Sequence, residues 1–246
     1  MTFARELLGL LLPVECAGCG TDDVAWCVTC ARRLAGPLWR CEDRAPRLDR
    51  LDGRGALPVW TLADCTGHLR RAVIAWKDRG RADLTRPFAA ALAVAARGLP
   101  PLGGAAPLLV VASPSTAAAR RRRGGNLVDA LAAAVVTGVR EGGATVAMGP
   151  PLVRAPGRDQ VGLGARARAR NLVGQVRLAE RHRDRAHGQR VLLVDDVLTT
   201  GATIAACRSA LERAGAEVVG AVTLASTPPS RPAARLSTAS SNSQAG

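Results

Sequence analysis

Aromatic residues are scarce in this chain of 246 residues. It contains four tryptophans, two phenylalanines and no tyrosine, and these types make up 2% of the sequence. Proteins that bind single-stranded nucleic acid usually stack the bases on exposed aromatic side chains. The scarcity therefore weakens any prediction of a base-stacking surface.

Lysine is almost absent. Lys77 is the only lysine, so the formal net charge of +14 at pH 7 comes almost wholly from arginine. A charge of this size attracts polyanions, which include DNA and substrates that carry a pyrophosphate. A GC-rich genome also favours arginine, so the charge alone does not identify the partner.

Long apolar runs are missing as well. A membrane-spanning helix needs about 18 consecutive apolar residues, and no segment approaches that length. Glu6 and Pro13 flank the apolar run at residues 7–12, which disfavours a signal peptide, so the predicted location is the cytoplasm. With 48% apolar residues the chain can bury a full core, enough for one main domain and an appendage.

Four of the seven cysteines form two Cys-x-x-Cys pairs. Cys16 and Cys19 make the first pair, and Cys27 and Cys30 make the second. Two thiolate pairs at this spacing are typical of a tetrahedral Zn²⁺ site, and four sulfur ligands leave zinc no open position for catalysis. We predict a structural zinc module; a redox pair and unpaired buried thiols are the alternatives.

The other three cysteines have no Cys-x-x-Cys partner. Cys41 is a candidate remnant of a further ligand pair. Cys65 and Cys207 are predicted to be small buried residues, and at Cys207 the helical spacing of neighbouring apolar residues supports this.

Strand and helix patterns alternate in the larger part of the chain. Apolar runs predict buried strands at 108–112, 191–194 and 217–225, and apolar positions at helical spacing predict helices at 67–77, 84–97 and 126–137. Such alternation is typical of an α/β domain with a mostly parallel sheet flanked by helices.

Composition suggests three parts. Residues 1–56 would hold a short N-terminal helix, the zinc module and a charged, glycine-rich linker. Residues 57–226 would form the α/β domain. Residues 227–246, rich in serine, proline and alanine, would form a disordered tail.

Residues 191–203 have the most informative sequence, Val-Leu-Leu-Val-Asp-Asp-Val-Leu-Thr-Thr-Gly-Ala-Thr. A buried strand runs into two acids, a Thr/Gly turn and a helix, and such a turn directs free backbone N–H groups and the helix dipole at an anion. Asp195 and Asp196 could accept hydrogen bonds from sugar hydroxyls or hold Mg²⁺ through water. The chain has neither the Gly-Lys-Ser/Thr of a P-loop nor a Gly-x-Gly-x-x-Gly turn.

Basic residues follow two further strands. Arg120–Arg123 come after the strand at 108–112 and Ser113, at the edge where α/β sheets bind ligands; a solvated loop is the alternative. Residues 154–171 combine glycine, proline and arginine, which is typical of a mobile cationic cover and also of a linker. Lys77 either ends its helix with a favourable charge or reaches the ligand.

Residues 191–203 resemble the phosphoribosyl pyrophosphate (PRPP) signature of type I phosphoribosyltransferases. The resemblance implies that Asp195 and Asp196 contact the ribose hydroxyls. The residues that it implies hold the 5′-phosphate are Thr199, Thr200, Gly201, Ala202 and Thr203.

The order of motifs along the chain resembles the ComF family, in which an N-terminal zinc module precedes a phosphoribosyltransferase domain. These motifs are the double Cys-x-x-Cys, Leu69-Arg70-Arg71 with Lys77-Asp78-Arg79-Gly80, Arg123-Gly124-Gly125-Asn126, Gln160 with Arg170-Asn171, and the PRPP signature. The family usually has Val-Pro-Val-Pro where this chain has Val-Ala-Ser-Pro at 111–114.

The resemblance implies a type I phosphoribosyltransferase fold and a Mg²⁺-dependent transfer of phosphoribose from PRPP to a nitrogen acceptor. It implies a covering loop with Arg154, Gln160 and Arg170, and a pyrophosphate loop with Ser113, Arg120 and Arg123. The alternatives are a DNA-uptake accessory that binds single-stranded DNA and a regulator that senses PRPP without turnover. A homodimer is compatible with the sequence, which does not fix the oligomeric state.

Overall fold

The computed structural model describes residues 14–48, 56–102, 107–155 and 174–229. The helix predicted before Pro13, the predicted site residues Gln160 and Arg170, and the tail from residue 230 lie outside these ranges. Among the described residues, no helix has the length and apolar character needed to cross a membrane.

The first part of the chain contains short elements. Helix α1 spans Val28–Ala31, and strand β1 spans Trp39–Arg40. Short 3₁₀ helices follow them at Arg32–Leu34 and Glu42–Arg44. These elements contain few buried residues, which is expected of a small module with little core of its own.

The larger part alternates strands and helices, as predicted. Its elements up to the hairpin are β2 (Val59–Asp64), α2 (Gly67–Asp78), α3 (Thr85–Ala96), β3 (Leu108–Ala112), α4 (Ala117–Arg123), α5 (Leu127–Glu141) and β4 (Val146–Met148). The remaining elements are β5 (Leu152–Arg154), β6 (Val176–Leu178), α6 (Arg183–Ala186), β7 (Arg190–Leu198), α7 (Ala202–Glu212) and β8 (Glu217–Ser226).

One six-stranded sheet organises the molecule, with the strand order β1-β2-β8-β7-β3-β4. All neighbours pair in parallel except β1 and β2, which are antiparallel. Strands β5 and β6 form a separate antiparallel ribbon. The prediction of an α/β fold with a mostly parallel sheet flanked by helices is thus confirmed.

Residues of β7 alternate between two apolar layers, because successive side chains of a strand point to opposite faces. Leu192 and Val194 pack in the layer that contains α2, α3 and α5, and Leu193 packs in the layer that contains α7. Both faces of the central strands are covered, which explains why their sequences are apolar runs without polar alternation.

The predicted linker contributes to the second layer. Ala45 and Leu48 are buried there beside Cys41, which directly precedes the linker predicted at residues 42–56. The composition of residues 42–56 is charged and glycine-rich, but the spacing of these three apolar residues lets one side of residues 41–48 pack inward.

Candidate functional site

The candidate site lies at the edge of the sheet where β3 and β7 end. The two strands are parallel neighbours, so their carboxyl ends meet at one edge, where α/β sheets bind ligands. A cavity of about 290 Å³ opens there, called below the carboxyl-edge cavity. Its lining residues are Lys77, Ser113, Pro114, Ser115, Thr116, Ala119, Arg123, Val128, Arg154, Asp195, Asp196, Val197, Thr199 and Thr203.

Two buried carboxylates form the floor of this cavity. Asp195 and Asp196 are 7% and 8% exposed. Asp195 Oδ1 accepts hydrogen bonds from Ser113 Oγ at 2.6 Å and from the backbone N–H of Asp196 at 2.9 Å. Asp196 Oδ1 accepts a hydrogen bond from Lys77 Nζ at 2.8 Å. The sequence suggested that the two acids mark the end of the strand. Strand β7 instead continues to Leu198, so the acids lie within it.

The environment of Asp195 raises its pKa from 3.8 to about 7. Burial is the largest cause, because it disfavours the charged form, and the charge of Asp196 acts in the same direction. The Ser113 hydroxyl, the Asp196 N–H and Lys77 oppose the rise. This carboxyl group therefore changes its charge near neutral pH, where its capacity to accept hydrogen bonds changes too.

A tight loop follows β7. Gly201 has φ +79°, in the left-handed region that favours glycine, and it directly precedes α7. The first backbone N–H groups of a helix have no partner within it, so those of α7 are free to meet an anion. A hollow of about 30 Å³ lies within this loop. Thr199 and Thr203 line both the hollow and the carboxyl-edge cavity.

The N-terminal part of the chain packs against this loop. A Cβ atom added to Gly201 would lie 2.8 Å from Leu48 Cγ and 3.0 Å from Ala45 Cβ. The backbone N–H of Arg47 donates to the carbonyl oxygen of Thr200 over 3.3 Å. Residues 45–48 thus limit the space available behind the loop.

The opposite wall of the cavity is built from the residues after β3. Asn126 holds this turn, because its side-chain amide donates to the Ser113 carbonyl over 3.1 Å and its side-chain oxygen accepts from Ser115 Oγ at 2.7 Å. Thr116 Oγ1 accepts the backbone N–H of Ala119 at 3.2 Å and caps α4.

The arginine run forms the end of α4 and not a loop. Arg123 lines the carboxyl-edge cavity, and its Nε atom is buried with no hydrogen-bond partner among the described residues. A buried donor without a partner costs free energy. An anion bound in the cavity would remove this cost by accepting its hydrogen bond. Arg120 instead donates to the Ser115 carbonyl over 2.6 Å and so braces the wall.

The structure brings most of the predicted site residues together. Those that line the carboxyl-edge cavity are Ser113, Arg123, Arg154, Asp195, Asp196, Thr199 and Thr203. Thr200, Gly201 and Ala202 line only the hollow in the loop. Arg120 lines neither space, and Gln160 and Arg170 lie outside the described residues.

Several lining residues carried no prediction. Ser115 and Thr116 follow β3 at the ligand-binding edge, so their hydroxyls could have been identified from the strand end alone. Val128 and Val197 give the cavity a small apolar part, and nothing in their sequence context separates them from ordinary core residues.

The four paired cysteines form a second candidate site. Their Sγ atoms all lie within 4.8 Å of one another, and those of Cys19 and Cys27 are 3.5 Å apart. Zinc–sulfur bonds of about 2.3 Å in a tetrahedron require sulfur–sulfur distances of roughly 3.8 Å. The donor set therefore fits Zn²⁺. Cys41 lies outside this group, buried in the second apolar layer of the sheet.

Backbone N–H groups favour the thiolate form of Cys16. Burial opposes ionisation of Cys16, but hydrogen bonds from the backbone of Cys19, Cys27 and Gly18 lower its pKa to about 6. Burial and the neighbouring thiols instead raise the pKa of Cys30. Thiolates are the form that binds zinc.

The cysteine module is fastened to α2, which carries Lys77, and to residues that follow this helix. Arg71 of α2 donates to the Gly18 carbonyl over 2.6 Å, and Arg81 donates to the carbonyls of Glu15 and Ala25 over 3.0 Å each. Trp26 and Phe88 meet edge to face with ring centroids 5.5 Å apart.

Residues 72–240 match the family model described as phosphoribosyl transferase domain. The chain is 37% identical over 109 residues to the adenine phosphoribosyltransferase of Frankia casuarinae, covering 39% of this chain and 54% of that one. It is 34% identical over 113 residues to the adenine phosphoribosyltransferase of Parafrankia sp., covering 40% and 58%. The chain thus spans about half the length of these relatives. A hypoxanthine phosphoribosyltransferase structure from Staphylococcus aureus is similar at 17% identity and a TM-score of 0.30, over 64% of each chain.

Proposed function

Because the chain belongs to the phosphoribosyltransferase domain family, we propose that it binds PRPP in the carboxyl-edge cavity and transfers the phosphoribosyl group to a nitrogen nucleophile. One observation carries the proposal. Two buried carboxylates line one cavity together with hydroxyl-bearing residues of the loop after β7 and with the cations Lys77, Arg123 and Arg154. A ligand with sugar hydroxyls and phosphates at both ends fits this distribution of charge.

The proposed contacts follow the chemistry of the lining. Asp195 and Asp196 accept hydrogen bonds from the ribose hydroxyls. The loop from Thr199 to Thr203 binds the 5′-phosphate through its hydroxyls and the free N–H groups of α7. Arg123 and Arg154 face the pyrophosphate.

Departure of pyrophosphate from C1 leaves positive charge on the ribose and negative charge on the leaving group. Preorganised cations and carboxylates on the two sides of the breaking bond stabilise that separation. We assign this electrostatic work to Arg123, Arg154 and the acid pair, with Gln160 and Arg170 in a cover that excludes water.

Mg²⁺ is the proposed cofactor. It prefers oxygen ligands and is usually bound through substrate phosphates and water with one or two carboxylates nearby, and the carboxylates and hydroxyls of the cavity fit that donor set. Bound with PRPP, it would neutralise charge on the departing pyrophosphate.

Calorimetry with PRPP and Mg²⁺ tests binding, with Asp195→Asn/Asp196→Asn as the variant. We expect heat with the unaltered protein and little with the variant. Absence of heat, or equal heat from both proteins, would contradict the proposed site.

Transfer is tested separately, by mass spectrometry after incubation with PRPP and a panel of bases and amines. Adenine is the first acceptor to try, because the relatives above are adenine phosphoribosyltransferases. Binding without any product would favour a regulator that senses PRPP over a transferase.

The cysteine module beside the phosphoribosyltransferase domain supports a finer assignment to the ComF family, with Zn²⁺ as a structural cofactor. Four clustered thiols suit a reducing compartment, so we place the protein in the cytoplasm. Metal analysis of the purified protein should find one zinc per chain; its absence would remove the support for this assignment.

The exposed arginines of α4 favour a second candidate function, the binding of single-stranded DNA. The Arg122 side chain is 61% exposed, whereas Trp26, Trp60, Trp76 and Phe88 pack in the core cluster. Binding would therefore depend on phosphates and not on base stacking. The affinity for DNA should then fall steeply with salt, and an affinity insensitive to salt would exclude this candidate.

A further inference from the structure

Lys77 is the only lysine in a chain whose other basic residues are all arginine, apart from three histidines. A compositional bias toward arginine would place arginine here too. Lysine differs in carrying a compact ammonium charge with three N–H donors and no planar fork. Lys77 lies in the last turn of α2, on the wall of the carboxyl-edge cavity.

The contacts of Lys77 leave donors for a ligand. Its Nζ atom lies 2.8 Å from Asp196 Oδ1, and the two side chains are 31% and 12% exposed. Within the described part of the chain, Asp196 is its one hydrogen-bond partner, so two of the three N–H donors remain for another acceptor.

The electrostatic surroundings of Lys77 include a second cation as well as the two acids. Burial lowers the pKa of Lys77, but the charges of Asp196 and Asp195 raise it by more. The net pKa is therefore raised, and the ammonium stays charged. Arg123 lies near enough to oppose that charge, and its buried Nε has no partner among the described residues. Two cations that line one cavity repel each other, and an anion that binds between them relieves this repulsion.

We propose that Lys77 neutralises Asp196 in the ligand-free protein and transfers its contact to the pyrophosphate when PRPP binds. The transfer frees Asp196 to accept hydrogen bonds from the ribose. This inference rests on the proposed function and makes Lys77 a substrate-binding residue, supplied by the helix to which the cysteine module is fastened.

The single lysine permits a direct experiment on the unaltered protein. Trinitrobenzenesulfonate modifies amines, and mass spectrometry of the peptide that contains Lys77 gives the rate at this one side chain. Mg²⁺ with PRPP, or with inorganic pyrophosphate, should slow the modification several-fold. Ribose 5-phosphate, which lacks the pyrophosphate, should not slow it. Equal rates with and without PRPP, or equal protection by ribose 5-phosphate, would overturn the assignment.

A charge-removing variant supplies the second measurement. Lys77→Gln should weaken PRPP binding about tenfold or more, because hydrogen bonds to charged groups are the strong ones. Its affinity for ribose 5-phosphate should change much less. The control is Arg122→Gln, which removes a cation that pairs with Asp78 and lies outside the cavity lining, and both affinities should be retained.

The outcomes separate this inference from the proposed function. If the unaltered protein binds neither PRPP nor ribose 5-phosphate, the proposed function fails. If it binds both and Lys77→Gln loses both equally, Lys77 only supports the acid pair and the inference alone fails. A selective loss of PRPP affinity supports it.

Discussion

The Ser113 hydroxyl is one of three groups that favour the charged form of Asp195. Ser113 Oγ donates to it at 2.6 Å, and both groups are buried. The hydroxyl favours the ionised carboxylate, which is the form that can accept from two ribose hydroxyls.

Ser113→Ala should therefore shift the pH dependence of PRPP binding. The pKa of Asp195, already about 7, should rise further, and the binding midpoint should move up by about one pH unit, the size expected for one hydrogen bond to a charged group. Calorimetry between pH 6 and 9 would measure it. Ser115→Ala is the matched control, because the Ser115 hydroxyl donates to Asn126. A shared midpoint for all three proteins would contradict the role of Ser113.

Asp195→Asn should change how stability depends on pH. The folded protein holds a proton on Asp195 up to about pH 7, whereas the unfolded chain releases it near 3.8. The folded state thus binds more protons in this window, and unaltered protein loses stability as the pH rises through it. Relative to the variant, the slope should approach about −1.4 kcal/mol per pH unit. Urea unfolding at several pH values would show this, and parallel curves would refute it.

At the scale of elements, the shape of the loop after β7 depends on Gly201, which packs against residues 45–48. Gly201 needs its positive φ, and Ala45 and Leu48 occupy the space where a side chain would lie. The two constraints are separate, because one concerns the backbone and the other concerns packing.

Gly201→Ala should lower the free energy of unfolding by about 2 to 3 kcal/mol, from left-handed backbone strain and overpacking together. Gly124→Ala is the matched control, since Gly124 has φ +74° with open space around it and should show only the backbone cost of about 1 kcal/mol. Denaturant unfolding would measure both. Equal losses would mean that residues 45–48 do not press on the loop.

Element positions could largely be predicted from the sequence, since buried strands and amphipathic helices have distinct periods. Strand β3 has the predicted bounds of 108–112. The run of arginines was harder, because four like charges suggest a solvated loop. The run is helical because Thr116 caps the start of α4 and Gly124 ends it with a left-handed conformation. Both residues are visible in the sequence, but the four charges drew attention away from them.

At the scale of the whole molecule, the cysteine module is held against the α/β domain by α2 and the turn that follows it. Carbonyl groups of the module accept hydrogen bonds from Arg71 and Arg81, so their positions depend on the fold of the module. Because the module has so few buried residues, we expect it to fold only with a bound metal.

Cys16→Ser/Cys19→Ser should abolish zinc binding and lower the free energy of unfolding by about 2 kcal/mol or more, because the module and its contacts to α2 are lost together. Metal analysis and thermal unfolding would measure the two effects. Cys41→Ser should keep its zinc, as Cys41 lies outside the cluster. Zinc content unchanged by the double substitution would refute the module.

Which distant residues meet in the cavity could be predicted only in part. Acids and threonines adjacent in sequence were identifiable, because one strand and one loop place them. The pairing of Lys77 with Asp196 and of Ser113 with Asp195 depends on strand order, which periodicity does not specify.

The strand order also has a consequence for synthesis. Strand β2 pairs with β8 and with β1, so on one side it has no partner until the last strand of the sheet has left the ribosome. Residues 45–48 likewise cannot pack against Gly201 until the loop after β7 has been made. The nascent chain would then expose β2 for most of its translation, a period in which chaperones or a misplaced strand could bind it.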